Sequence, residues 1–590
     1  MDNNQSAISP VTRIRLFYGV LVIIAVIFGL RLFYLQVIRH SFYQQQAEAS
    51  QLKQFEIPAE RGSIYAYDGG EIVPFVLNEV RYRITADPQI IDNKAEVAMA
   101  LSDVLNRPAT DIQEQLERTG SRYEILANKQ TKAIKEKVDD IKLPGIFTNE
   151  KVSQRVYIQG DIAGQVLGFV NDAGEGQYGI EEYLQNELQG TPGRLKALTD
   201  QNNVPLLATG ENVQIDPIDG KDIVLTIDVS MQRQLERILE DGLKRAKSAS
   251  GSAIIIDPNT GSVRAMANYP SFDPATFTAV EDIEVFQNAS VSSPLEPGSI
   301  MKTLTTAAAM DTGSVAADQT YYDPGSWTID GATIENVFES RGIGTRSVAD
   351  ILRLSLNTGA TWLLMQMGGG ELNEKGRVVW HDYLVNHYQL GKRTGIEQGP
   401  SNEDSATEAQ GIVPDPREGF GLNIRFANTS FGQGITATPL QMVAAVASAV
   451  NGGTYYQPTL VSGSIEDEEV VTKSPVVIHD AVVSDKTSEN LRSLMQNVVN
   501  NNNPKAVRDG YNVGGKTGTA EIANPAGGYY EDRFNGTYVG FVGGDTPEYV
   551  IVVRANEPQV PGYAGSIAGR PIFADLSNML IDNFTVSRKQ

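Results

Sequence analysis

A chain of 590 residues with a formal net charge of −23 and no cysteine excludes much before any motif is read. The length asks for several domains, each with a core of its own, and the acidic balance excludes a nucleic-acid partner, because a phosphate backbone needs a basic patch. Without cysteine there is no thiol catalysis, disulfide or zinc–thiolate site; the histidines (His40, His381, His387 and His479) stand without ligand spacing, so no metal and no cofactor is expected.

Residues 1–15 are mostly polar and carry Arg13 and Arg15 just ahead of an apolar run. Leu16 to Leu30 is uninterrupted, Arg31 breaks it, and Leu32 to Ile38 continues it. Residues 16–38 are long enough to cross about 30 Å of hydrocarbon. Arg31 would lie near the outer end, its stem snorkelling to the headgroups. The two arginines keep residues 1–15 inside as a cytoplasmic tail, so the bulk of the chain is expected outside the cell membrane, held by a single span. A cleaved signal peptide is the competing reading. Ala47-Glu-Ala49 has the look of a cleavage site but stands too far beyond the run, across Arg39 and His40.

Residues 39–220 read as a separate region. Ser41 to Lys53 is polar and Gln-rich, the pattern of a helical stalk, and Pro58 to Gly70 carries Arg61, Gly62 and Ile64 ahead of a Gly-Gly turn. Lys94 to Lys142 alternates acidic and basic residues as a solvated helical segment does. Glycines 174, 176 and 179 read as turns, since no strand-to-helix phosphate loop accompanies them, and Asp216 to Gly220 reads as a linker. From Lys221 the pattern changes. Ile223 to Ile227 is a strand, Asp228 caps a helix, and Ser252–Ile256 with Ser262–Ala267 makes a hairpin about the turn Asp257-Pro-Asn-Thr-Gly261.

Three short stretches of this last region carry chemistry: Ser299-Ile-Met-Lys302, Ser355-Leu-Asn357 and Lys516-Thr-Gly-Thr519. Three residues apart on a helix, Ser299 and Lys302 share a face. A desolvated Lys302, its pKa lowered by burial and by neighbouring cations, can take the serine's proton during attack. Pro297-Gly298 makes the turn and the Ala-rich run to Met310 makes a buried helix, whose amino end favours an alkoxide beside it. No G-x-S-x-G elbow is present, and the scattered histidines weigh against a Ser-His-Asp arrangement.

In this order the three stretches match the S-x-x-K, S-x-N and K-T-G set of penicillin-binding proteins and serine β-lactamases. The neighbourhoods Leu295–Lys302 and Gly514–Glu521 extend the match, and the chain is identified as resembling a class B penicillin-binding protein from about residue 16 to 585. Pro58–Gly70 is similar to the R-G-x-I-x-D-R-x-G element of that family. Ala66 and Tyr67 replace its Asp and Arg, which weighs against the motif's usual ion pair but not against the domain. Arg155–Tyr157, Gly164–Asn171 and Gly176–Tyr183 also look like the family.

The resemblance implies an α+β fold. An elongated α+β pedestal of the dimerisation type (39–220) follows the transmembrane helix and precedes a transpeptidase domain (221–590), an antiparallel sheet flanked by helices. It implies a nucleophile Ser299 and a base Lys302. Ser355 would relay a proton to the leaving amine, Asn357 would hold Lys302 and the substrate amide, and Lys516 would supply positive charge. Thr517, Gly518 and Thr519 would bind substrate, a terminal carboxylate among its groups, and the backbone N–H groups of Ser299 and Thr519 would form the oxyanion hole. The implied activity is D,D-transpeptidation of peptidoglycan stem peptides: a D-Ala–D-Ala donor, an amine acceptor, and β-lactams as covalent mimics. A septal role is favoured over elongation, with divisome proteins and a glycosyltransferase of the shape-elongation-division-sporulation group as partners.

Three other readings share the triad. A β-lactamase has no use for an anchor and a pedestal, and a β-lactam sensor would carry several spans and a cytosolic effector. A scaffold activating a glycosyltransferase would survive Ser299→Ala. Gln398 to Ile412 departs from the family and reads as a mobile loop, while Glu521 to Glu531 stands at the cleft edge and could shape the donor site. Phe431 to Gln441 reads as a mainly structural helix start.

Overall fold

The computed structural model describes residues 10–40, 52–118, 120–198, 213–337, 342–400, 407–524 and 527–590. By compactness the chain forms two units, Met1–Ala59 with Gly190–Asp219, and Glu60–Gln189 with Gly220–Gln590. In the first, the helix Pro10–Phe33 runs on into a π-helical turn, Tyr34–Ile38, and Ile14–Ile38 is long and apolar enough to cross a membrane. Among the described residues it also holds an antiparallel sheet of Leu52–Ile57, Gly193–Leu198 and Val213–Ile215. Most of the expected Ser41–Lys53 stalk lies outside the described residues, and Lys53 already belongs to a strand.

The second unit contains two large sheets. One has seven strands and mixes the two halves of the chain. Ile64–Asp68 pairs in parallel with Asp222–Asp228, which pairs antiparallel with Val461–Glu466. Ile223, Leu225 and Ile227 are buried there, so the apolar run read as a strand is one, but its neighbours come from both sides of residue 221. The Lys94–Lys142 segment is not helical throughout. Helices Lys94–Leu105, Ala109–Leu116 and Lys132–Ile141 are interrupted by the strand Glu124–Gln130, which pairs with Glu71–Ala86 and buries Leu126. Arg61 does find an acidic partner despite Ala66 and Tyr67. Its guanidinium lies 2.6 Å from Glu181, a fully buried carboxylate that Arg155 also meets at 2.8 Å.

The other sheet has five antiparallel strands in the order Val263–Tyr269, Ser250–Ile256, Pro547–Asn556, Tyr529–Gly543, Asn512–Ala523. Period-two alternation splits its side chains between two cores. Ala253, Ile255, Val553 and Tyr538 pack under the helices Val229–Ala246 and Arg570–Asn583. Ile254, Val552, Val539 and Phe541 share the opposite core with Leu304 of the helix Met301–Asp311 and Val443 of the helix Pro439–Val450. This is the expected α+β arrangement, helices on both faces of an antiparallel sheet. Asn512–Ala523 is an edge strand, which leaves its outer side open to a ligand.

Candidate active site

Ser299 sits in a 3-10 turn, Gly298–Ile300, that leads directly into the helix Met301–Asp311. The turn needs its glycine. Gly298 has φ +60°, and a Cβ there would stand 2.6 Å from the carbonyl oxygen of Thr519. The Gly298 N–H donates to the carbonyl of Gly432 (3.0 Å), which fixes the turn from its other side. Gly518 is equally enclosed, since a Cβ would meet the Thr537 hydroxyl and the Pro297 carbonyl. The serine turn and the edge strand therefore touch through backbone.

Lys302 is 0% exposed, and its Nζ lies 2.9 Å from Ser299 Oγ, 2.8 Å from the carbonyl of Ser355 and 2.8 Å from Asn357 Oδ1. Burial, then the charge of Lys516, hold this amine well below the ordinary lysine range. The carbonyl of Ser355 and the amide oxygen of Asn357 can only accept. A neutral amine gives them its two N–H groups and turns its lone pair toward the Ser299 hydroxyl.

Ser355 is the carboxyl-terminal cap of the helix Val348–Leu354, in the left-handed region at φ +61°. That helix starts from a capping box of Ser347 and Asp350, and Leu356 is buried beyond its end, so the serine is pinned from both sides. Asn357 opens the next helix, Asn357–Met367. Lys516, 1% exposed on the edge strand, donates to Ser355 Oγ (3.0 Å) and to the Thr517 carbonyl (2.9 Å). Burial lowers its pKa to about 7. The Ser355 hydroxyl thus stands between two lysines, 3.3 Å from Lys302 Nζ and 3.0 Å from Lys516 Nζ. Thr517 and Thr519 are half-buried with the buried Gly518 between them. All eight residues singled out in the sequence fall on these three adjoining segments.

Other neighbours were not singled out for chemistry. The ring of Phe431, in the stretch that reads from the sequence as mainly structural, lies 5.9 Å from Lys302 Nζ and is part of the dry wall around it. Gln433 Nε2 donates to Glu521 Oε2 (2.5 Å), tying that stretch to the edge strand. Of the expected mobile loop Gln398–Ile412, residues 401–406 lie outside the described residues, and Gln398 and Glu408 on either side are held in place. Both are buried, Gln398 bonded to the Val166 carbonyl and Glu408 to the Thr394 and Gly395 N–H groups.

Residues 251–578 match the penicillin binding protein transpeptidase domain, and residues 56–225 match the penicillin-binding protein dimerisation domain. The chain belongs to the penicillin-binding protein transpeptidase family. Stage V sporulation protein D of Bacillus subtilis is 30% identical over 569 residues, spanning 95% of this chain and 84% of that one. The peptidoglycan D,D-transpeptidase FtsI homolog of Mesostigma viride is 25% identical over 572 residues, 93% of this chain and 92% of that one. Among solved structures, Penicillin binding protein 3 of Mycobacterium tuberculosis complexed with aztreonam superposes with a TM-score of 0.66. It is 24% identical and covers 90% of this chain and 98% of that one, a likeness of fold. As a penicillin-binding protein, the chain carries the family's three motifs on the segments that meet at Lys302.

Proposed function

We propose that this protein is a membrane-anchored serine D,D-transpeptidase that cross-links peptidoglycan stem peptides. The observation that carries the reading is Lys302, a buried amine whose N–H groups have two carbonyl acceptors and whose Nζ lies 2.9 Å from Ser299 Oγ. Ser299 Oγ attacks the carbonyl of the penultimate D-Ala while its proton passes to Lys302 Nζ. The oxyanion takes hydrogen bonds from the backbone N–H groups of Ser299 and Thr519. The C–N bond breaks, and the departing amine of D-Ala takes a proton through the Ser355 hydroxyl, which stands between the two lysines. Lys516, Thr517 and Thr519 hold the terminal carboxylate beside Gly518, and Asn357 holds Lys302 and the peptide amide. An amine of a neighbouring strand then attacks the acyl-enzyme, its proton leaves by the same relay, and Ser299 is regenerated.

In this reading the chain divides by task. Residues 1–15 are a cytoplasmic tail, 16–38 a transmembrane helix, 39–220 a pedestal and 221–590 the transpeptidase domain outside the membrane. β-Lactams present the donor's amide in a ring and stop at the acyl-enzyme. We also infer a septal role, for which the named likeness to an FtsI homolog speaks, with divisome proteins and a glycosyltransferase of the shape-elongation-division-sporulation group as partners.

Intact-mass spectrometry of the protein incubated with benzylpenicillin, beside its Ser299→Ala variant, tests the chemistry. A lasting adduct of one penicillin on the first and none on the second is expected. Fast turnover of the drug without an adduct would make the protein a β-lactamase and end the transpeptidase reading.

A further inference from the structure

Asn357 is useful to Lys302 only if its amide oxygen, not its amide nitrogen, faces the amine, and this orientation is imposed from outside the three motifs. Asn357 Nδ2 donates to the carbonyl of Glu335 (3.0 Å), which turns Oδ1 toward Lys302. The next residue, Thr358, is fully buried and held at each of its polar atoms. Its N–H donates to Asn336 Oδ1 (3.2 Å), its carbonyl accepts from Trp327 Nε1 (3.0 Å), and its hydroxyl accepts from Asn336 Nδ2 (2.7 Å). That hydroxyl then donates to Asp323 Oδ2 at 2.6 Å.

Asp323 is 0% exposed and has no cation within ion-pair distance among the described residues. It accepts instead from Thr358 Oγ1, from the Tyr321 hydroxyl (3.0 Å) and from the Gly325 N–H (2.8 Å). Tyr321 in turn stacks on Trp362 of the Asn357–Met367 helix, with centroids 4.3 Å apart and planes 12° from parallel. An ionised carboxylate accepts only, so the Thr358 hydroxyl has one polarity open to it: donor to Asp323, acceptor from Asn336. With both its sites used, it cannot turn aside and carry the helix start with it.

We propose that Asp323 and Thr358 are positioning residues for acyl transfer, locking the start of the Asn357–Met367 helix so that Asn357 presents its amide oxygen to Lys302. This rests on the reading of Ser299 and Lys302 as nucleophile and base. A carboxylate in this place does no chemistry on substrate and touches no reacting atom. It sets where the Lys302 lone pair points. If the lock is lost, the Asn357 amide can rotate, Lys302 loses a carbonyl acceptor, and one of its N–H groups is free to swing toward Ser299 in place of the lone pair.

The test uses the full-length protein in detergent and the rate of acylation by a fluorescent penicillin, followed from acid to alkaline pH. In Thr358→Val the plateau should fall by about tenfold or more, as when the outer partner of an active group is removed at other sites. The acid limb should also move to lower pH, because an ammonium needs the lost oxygen more than an amine does. Among the described residues Lys516 is the other titrating group facing Lys302, and it is common to every variant. Thr358→Ser keeps the hydroxyl and should restore both rate and limb. Asp323→Asn, close to isosteric, should reproduce part of both changes, and it carries the two readouts if the valine variant does not fold. Wild-type acylation in Thr358→Val and Asp323→Asn overturns the proposal. So does an equal loss in the serine and valine variants with an unmoved limb, which would mean packing alone. Failure of the unaltered protein to form an adduct would instead strike the transpeptidase reading, and this inference with it.

Discussion

At the scale of single residues, two lysines of one type are given different tasks by their surroundings. Lys302 is buried beside a second cation, and both hold its pKa well below the ordinary lysine range; Lys516 is buried against the Ser355 hydroxyl and a backbone carbonyl, and its pKa falls to about 7. A bound substrate carboxylate favours the ammonium of Lys516, so the two groups bind together best when the free enzyme already carries the charge. Below about pH 7 the ammonium is present, and above it the free site becomes neutral. The dissociation constant for a penicillin should therefore rise between about pH 6 and pH 9. The acylation step, which needs neutral Lys302, should hold level or increase over the same range. Stopped-flow acylation at several drug concentrations separates the two quantities. A dissociation constant independent of pH would show that Lys516 does not meet the carboxylate as an ammonium.

At the scale of elements, the site depends on how closely a turn approaches a strand. Replacing Gly298 by alanine puts a Cβ 2.6 Å from the Thr519 carbonyl oxygen and forces a β-carbon into the left-handed region. The conformational term alone costs about 1–2 kcal/mol. The clash must be relieved by moving Ser299 away from the edge strand, and a misplacement of this order can cost about 100-fold in rate. Gly298→Ala should acylate about that much more slowly while the protein still melts cooperatively; an unchanged acylation rate would mean the contact is slack. What the sequence could reveal of this site follows the same division. Ser299 and Lys302 are legible because three residues on a helix fix their separation locally. Ser355 and Lys516 are legible as chemistry only through the family motifs, since no local rule brings residues so far apart together. Asp323 is not legible at all. In Tyr321-Tyr-Asp-Pro-Gly325 it looks like an ordinary turn residue, and only the packing of Thr358 onto it gives it a task.

At the scale of the whole molecule, the sequence pattern puts a boundary at residue 221, where a linker meets a strand. The elements are legible there, because Ile223 to Ile227 is apolar enough to be buried on both faces. The strand's partners are not, because nothing in those residues says which sheet they join. Asp222–Asp228 is held by Ile64–Asp68 on one side and Val461–Glu466 on the other. Further links cross the same boundary. Phe169 stacks on Phe277 with centroids 4.1 Å apart, Gln165 Nε2 donates to the Pro270 carbonyl (2.9 Å), and Gln398 Nε2 donates to that of Val166 (3.0 Å). A fragment beginning at residue 221 would expose Ile223, Leu225 and Ile227 along an unpaired edge and, by losing Phe169, uncover Phe272 and Phe286. Bare apolar edges of this kind associate. Residues 221–590 expressed alone should accordingly aggregate or melt without cooperativity. A fragment that retains residues 60–189 should melt in a single transition that acylation by penicillin raises, since the tethered drug makes its contacts with the site only in the folded state. Calorimetry of the two fragments decides between them. If residues 221–590 alone melt cooperatively and acylate at the full rate, the shared sheet is not needed to build the site.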